Sequence, residues 1–186
     1  MTERGPYGFP PEQGLYSPAH EHDACGMGFV VNVRGHKSHD IIKQALQVLV
    51  NLAHRGACGC DPETGDGAGI LIQIPHAFFT RECQSLGFTL PAPGRYGVGM
   101  VFLPVTRQAR MQTEGIVETV VAEEGLRVLG WRDTPVDQSA IGRIARGSQP
   151  YIEQFFVGCP ADMSEDAFER KLYVVRKRAE AAVAAS

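Results

Sequence analysis

The sequence lacks an excess of charge of either sign and lacks a long apolar run. Its 18 Lys and Arg are offset by 21 Asp and Glu, which leaves a net charge of -3. Nucleic-acid-binding domains usually carry a basic surface, so this balance argues against that class. Nowhere do eighteen apolar residues follow one another, as a transmembrane helix needs. We therefore expect neither nucleic acid nor a membrane as a partner.

The start of the chain lacks the apolar core of a secretory signal. Residues 1–24 are instead rich in Pro, Gly and His, without periodicity. The 5 cysteines are an odd number, which disfavours a disulfide framework. The chain is therefore expected to be cytoplasmic with reduced thiols. Residues 1–24 are predicted to be an extended or disordered leader.

What is present is an alternation of strand and helix patterns. With 44% hydrophobic residues, 186 residues suffice for one sizeable core. Strand patterns cover residues 29–33, 70–74, 96–104, 126–131 and 150–158. Helix patterns follow Ser38, cover 76–86 and 106–124, and follow Ser164. Periodicity alone favours an α/β sandwich that could contain a parallel sheet.

Cys25 is the first chemical candidate, within "HDACGMGFV". The plain interpretation is a small buried residue beside a strand. The alternative is that the Ala24–Cys25 bond is cut. One residue would then carry a thiol nucleophile and an α-amine, whose pKa values lie near 8.5 and about 7.7–8.0. Gly26 and Gly28 would let a ligand approach the backbone closely.

The glycine-rich stretch "HRGACGCDPETGDGAG" at 54–69 is the second candidate. It could hold an anion, or its glycines could serve only backbone conformation. Phosphate-loop and dinucleotide motifs fit poorly, because no Lys-Ser/Thr follows and a strand pattern comes next. A zinc site is a weaker hypothesis, because the Cys-x-Cys pair formed by Cys58 and Cys60 has no second cysteine pair elsewhere in the sequence. Its candidate ligands are His54, Cys58, Cys60 and either Cys25 or His22.

The remaining candidates are predicted to be structural. Cys83 and Cys159 have apolar neighbours, and Trp131 with the Phe155–Phe156 pair is expected in the core.

Together these segments resemble the amino-terminal glutamine amidotransferase domain of glutamate synthase large subunits. The resemblance covers nearly the whole chain. It is carried by "HDACGMGFV", "LVNLAHRGACGCDPETGDGAGILIQIPHAFF", "LGWRDTPVD", "IEQFFVG" and "DAFERKLYVVRKR". The Cys-Gly start is shared with other amidotransferases of this class, whereas the Thr-Gly-Asp-Gly form and Gly-Trp-Arg are typical of glutamate synthases.

The resemblance implies an α+β fold of the N-terminal-nucleophile hydrolase type, a four-layer αββα sandwich with two largely antiparallel sheets. Residues 1–24 would be a propeptide, and 25–186 the N-terminal part of the amidotransferase domain. Cys25 would be the catalytic nucleophile that hydrolyses glutamine. Arg55, Gly56 and Asp66 would shape the glutamine-binding pocket.

The resemblance also implies that this chain is incomplete as a glutaminase. The family places an Arg, an Asn-Gly oxyanion pair and an Asp for the substrate amine further along its sequence. The asparagines here, Asn32 and Asn51, do not precede glycine. FMN and an iron–sulfur cluster would belong to the absent synthase part. A nicotinamide-dependent small subunit or ferredoxin would supply electrons. The alternative is a non-catalytic interaction module that needs a second chain.

Overall fold

The fold is described from a computed structural model. The structure describes residues 12–14, 17, 26–53, 56, 63–65 and 67–186. The chain divides into two compact units, Met1–Leu71 and Ile72–Ser186. The elements are α1 (His39–Asn51), α2 (His76–Ser85), β1 (Tyr96–Leu103), α3 (Arg107–Glu123), β2 (Arg127–Asp133), α4 (Arg143–Gly147), β3 (Tyr151–Gly158) and α5 (Glu165–Ala184).

In the first unit, the segment before the first turn packs against the amphipathic helix α1. Residues 26–32 form no regular element, but the exposure of their side chains alternates with the predicted period of two. Even-numbered positions approach the helix, since a Cβ built on Gly28 would lie 2.7 Å from Val48 Cγ1. Odd-numbered positions point away, and Phe29 is 89% exposed. The helix predicted after Ser38 is confirmed.

The strand predicted over 29–33 is wrong in one respect, because no hydrogen-bonded ladder forms there. Residues 33–34 belong instead to a turn, in which Asn32 Oδ1 accepts hydrogen bonds from the amides of Arg34 and His36. Gly35 completes the turn with a φ of 70°. Residues 70–74 likewise form no strand. Both segments have strand-like side-chain patterns but no partner strand among the described residues.

The second unit is built on a three-stranded sheet in the order β1-β3-β2. β3 pairs antiparallel with both neighbours, so the parallel sheet that periodicity allowed is wrong. β1 and β2 do run in the same direction, but β3 lies between them. The helix–strand alternation of β1, α3 and β2 is therefore that of a split β-α-β unit. Alternation of helices and strands fixes neither the direction of consecutive strands nor which strands become neighbours, since β2 and β3 are antiparallel although α4 separates them.

Helices cover both faces of this sheet. On one face, Val157 and Phe155 of β3 pack with α3 and α5, including Val121 and Phe168. On the other face, Phe156 packs with α2 and the loop after it. Phe156 is fully buried and meets the Phe79 ring edge-on, with 5.2 Å between ring centroids. The described residues therefore form an α+β fold with β3 at the centre of two small cores.

Two arginines fix the layers to one another. Arg132 on β2 donates to Glu82 of α2 at 2.7 Å and to Gln154 of β3 at 3.0 Å. Arg95, just before β1, donates to the carbonyl oxygens of Pro160 and Met163. Arg132 is mostly buried, so its ion pair is screened less than a surface pair.

The predicted helices at 76–86 and 106–124, the last helix, and the strands at 96–104, 126–131 and 150–158 are confirmed to within two residues. The short helix α4 was not predicted. Its sequence, RIARG, is too short to show a helical period.

Candidate functional site

Three of the four predicted site residues lie outside the described residues. These are Cys25, Arg55 and Asp66, and only Gly56 has a described position. The candidate zinc ligands also lie outside the described residues; they are His22, Cys25, His54, Cys58 and Cys60. Described residues flank these candidates in sequence on either side.

Two of these flanking positions are in contact with residues at the C-terminal end of α1 or just after it. Gly26 contacts Leu52, because a Cβ built on Gly26 would lie 3.0 Å from Leu52 Cδ2. Leu52 caps the end of α1. One turn further on, the amide of Gly56 donates to the carbonyl of Ala53 at 3.2 Å. The neighbour of Cys25 and the neighbour of Arg55 are thus both anchored at one end of α1.

The glycines of the loop before Ile70 have no structural reason to be glycine within the described chain. A Cβ built on Gly67 or Gly69 would meet no described atom within 4 Å. Neither residue has a positive φ, unlike Gly87 and Gly94. The alternative that these two glycines serve only a left-handed backbone is therefore wrong.

The described thiols are structural, as the sequence indicated. Cys83 is fully buried beside Phe79 and Tyr96. Burial raises the pKa of the Cys83 thiol, with Arg132 opposing this and Glu82 adding to it. A raised pKa suppresses the thiolate, which is the nucleophilic form. The Cys159 thiol is half-buried and lies 3.5 Å from the carbonyl oxygen of Pro160.

No group of three or more His, Cys, Asp or Glu in the described part of the chain could hold a metal ion. Nor does any described helix have the length and apolar character to cross a membrane. A groove of about 500 Å³ lies between α3 and α5, with Thr119, Glu123 and Arg178 in its lining.

The sequence patterns did not single out one unusual group, Glu153 on β3. It is 7% exposed, next to Asp133 and Glu114. Burial, followed by hydrogen bonding with Asp133, raises the pKa of the Glu153 carboxyl from 4.5 to about 7. The signal available in the sequence was a Glu inside an otherwise buried strand.

Comparison with known proteins assigns the chain to a family. The profile of the family described as class II glutamine amidotransferases matches residues 25–186. The chain belongs to the class II glutamine amidotransferases. The match covers the whole second unit of this amidotransferase chain and the first unit from residue 25 onward.

Among curated proteins, the amidotransferase chain is similar to glutamate synthases. It is 49% identical over 172 residues to the glutamate synthase [NADPH] large chain of Bacillus subtilis, covering 92% of this chain and 11% of that protein. The ferredoxin-dependent glutamate synthase 2 of Synechocystis is 43% identical over 156 residues, which cover 84% of this chain and 10% of that protein. Glutamate synthase [NADH] of Saccharomyces cerevisiae is 41% identical over 180 residues, which cover 91% of this chain and 8% of that protein. The chain thus spans about one tenth of the length of these relatives.

Proposed function

We propose that this chain supplies the N-terminal part of a glutamine-hydrolysing domain of a glutamate synthase, with Cys25 as the nucleophile. The observation that carries the proposal is the start of the family match at residue 25. That is the residue at which the sequence predicts a processed amino terminus. Residues 1–24 would then be a removable propeptide.

The proposed chemistry uses both groups of a free Cys25. Its α-amine takes the thiol proton, and the thiolate attacks the side-chain amide carbon of glutamine. The same amine then hands the proton to the departing ammonia. Water cleaves the γ-glutamyl thioester, releasing glutamate and regenerating the thiol. The ammonia would be transferred to 2-oxoglutarate elsewhere in the synthase.

Arg55, Gly56 and Asp66 are proposed to shape the glutamine pocket. The anchoring of Gly26 and Gly56 at one end of α1 supports a site that includes both segments. The absence of a steric or φ requirement at Gly67 and Gly69 supports close approach by a group from outside the described chain. That group would be substrate or the rest of the domain.

The rest of a four-layer αββα sandwich would come from further polypeptide. The exposed apolar side chains Phe29, Val33 and Leu71 support this, since their exposed fractions are 89%, 97% and 101%. FMN and an iron–sulfur cluster would belong to that further polypeptide and would supply the reductive chemistry. A nicotinamide-dependent small subunit would be a partner of the whole enzyme.

The proposal is tested by labelling with diazo-oxo-norleucine, an electrophile that mimics glutamine. In the natural polypeptide that carries this sequence, we expect residue 25 to be the amino terminus and the label to be on its sulfur. Peptide mass spectrometry reports both. Cys25→Ala should abolish the label and reduce glutaminase activity by at least about a thousandfold.

Cys159→Ser is the matched control, because it removes a half-buried thiol far along the sequence. It should leave the labelling of Cys25 unchanged. An active polypeptide with Ala24 still joined to Cys25 would contradict the proposal. Labelling that persists in Cys25→Ala would contradict it as well.

The exposed apolar side chains also favour a second candidate function, a non-catalytic module that binds another chain. The labelling experiment separates the two candidates. The module predicts an unreactive Cys25 and stable co-purification with one defined protein chain.

A further inference from the structure

Three carboxyl groups meet between the sheet and α3. Glu153 of β3 lies directly opposite Asp133 of β2 in the antiparallel register, so both side chains share one face. Glu114 of α3 approaches from above that face. We name Glu114, Asp133 and Glu153 the carboxyl cluster. Like charges opposite one another on neighbouring strands are destabilising, so the arrangement needs a compensating feature.

One oxygen of the buried member of the carboxyl cluster has no hydrogen-bond donor in the described part of the chain. Glu153 is 7% exposed, and its Oε2 atom is buried without a hydrogen-bond partner among the described residues. Its neighbours within hydrogen-bonding reach are the carboxyls of Asp133 and Glu114. Ionised carboxylates only accept hydrogen bonds. Two of them can therefore join only through a proton that one of them retains.

The other polar groups around the cluster are already engaged. The Arg110 guanidinium lies 3.7 Å above the Tyr151 ring and 3.6 Å from Glu114. The Tyr151 hydroxyl hydrogen-bonds to Asp133. On the β1 side, the residue opposite Glu153 is the apolar Val101. Arg110 thus pairs with Glu114, and none of the ion pairs in the described part of the chain includes Glu153.

We propose that Glu153 retains a proton in the folded chain and donates it to Asp133, which makes the carboxyl cluster a proton-dependent latch joining β2, β3 and α3. When the proton leaves, a charge stays buried beside two other carboxylates. Burial of an uncompensated charge is costly. The part of α3 that carries Arg110 and Glu114 then loosens from the sheet.

The direction of the pH dependence follows from the pKa of Glu153. Its value is about 7 in the folded chain, compared with the ordinary 4.5. Between these pH values the folded state binds one proton more than the unfolded state. The unfolding equilibrium constant therefore rises about tenfold for each pH unit in this window. The stabilisation is complete below pH 4.5 and lost above about pH 7.

Urea denaturation of the 186-residue chain between pH 4.5 and pH 8 tests the latch. Glu153→Gln places a permanent N–H donor at the same position. Its unfolding constant should lack the tenfold rise per pH unit that the unsubstituted chain shows. Glu169→Gln, on the exposed face of α5, is the matched control and should retain that rise. An unchanged pH dependence in Glu153→Gln would overturn the proposal.

A second measurement needs no substitution at the cluster. The ¹³C chemical shift of the Glu153 carboxyl should titrate with a midpoint near pH 7. A midpoint near 4.5 would overturn the proposal, whatever the folding of Glu153→Gln. Above pH 7, amide exchange in the first two turns of α3 should accelerate beyond its intrinsic pH dependence. Unaccelerated exchange there would equally count against the latch.

Discussion

At the scale of single residues, glycine has different roles in different parts of this chain. Gly87 follows α2 with a φ of 87°, and its amide donates to Gln84. Gly69 has no positive φ and has open space where a Cβ would lie. The first glycine is required by the backbone, and the second is not. Substitution at Gly69 therefore probes function without a stability penalty.

Gly87→Ala should lower the free energy of unfolding by about 1 kcal/mol, because an L residue is strained in the left-handed region. Gly69→Ala, the matched control, should leave it unchanged or raise it by about 0.4–1 kcal/mol. Urea denaturation of both variants gives the two values. An equal loss in both would show that Gly69 has a conformational role which its φ does not indicate.

At the scale of elements, the helices differ in how they begin. α5 begins at a true side-chain cap, since Ser164 accepts a hydrogen bond from the amide of Ala167. Glu165 and Asp166 lie in its first turn, where the helix dipole favours acidic side chains. α1 follows Ser38, which makes no side-chain cap hydrogen bond. The same residue type thus precedes both helices, but only one serine caps its helix.

Ser164→Ala should therefore destabilise the chain by about 1 kcal/mol, the usual cost of a lost cap. Ser38→Ala should change stability by less than about 0.5 kcal/mol. The circular dichroism melting temperature, followed for both variants, provides the comparison. Equal shifts in the two variants would contradict the difference between the caps.

At the scale of the whole molecule, the two units differ in how deeply their elements are buried. α1 in the first unit has no buried residue. β3 in the second unit has its central side chains in two cores. Local stability follows the burial of apolar side chains. We therefore expect the first unit to have a lower local stability than the second unit.

Amide hydrogen exchange of the isolated chain should show this difference directly. Amides of α1 should exchange more than about a hundredfold faster than those of β3, relative to their intrinsic rates. Mass spectrometry of peptic peptides resolves the two elements. Equal protection of α1 and β3 would contradict a lower local stability of the first unit.

Much of the fold could be predicted because local patterns determine local structure. The helix periods in α3 and α5 and the apolar run of β3 gave their bounds to within two residues. The pattern at 29–33 correctly indicated alternation, but a ladder there or at 70–74 also needs a partner strand, which no local pattern specifies. The pairing of β3 with both β1 and β2 is likewise non-local.

The candidate site was predictable only as a set of residues. Cys25, Arg55 and Asp66 were identified from motifs, and their geometry stays a prediction. Glu153 was missed because its importance depends on Asp133 lying opposite it, and that register emerges only when the sheet forms. The spacing of Asp133 and Glu153 along the sequence does not indicate that they become opposite one another.

The central position of β3 also sets the order of events on the ribosome. β1 and β2 are synthesised first, yet each hydrogen-bonds only to β3 within the described sheet. At translation rates of about 5–20 residues per second, β1 stays without its partner strand β3 for several seconds after it has been synthesised. Tyr96–Leu103 contains no charged residue or proline during that interval. The nascent chain is therefore most exposed to mispairing, and most in need of a chaperone, just before its central strand leaves the exit tunnel.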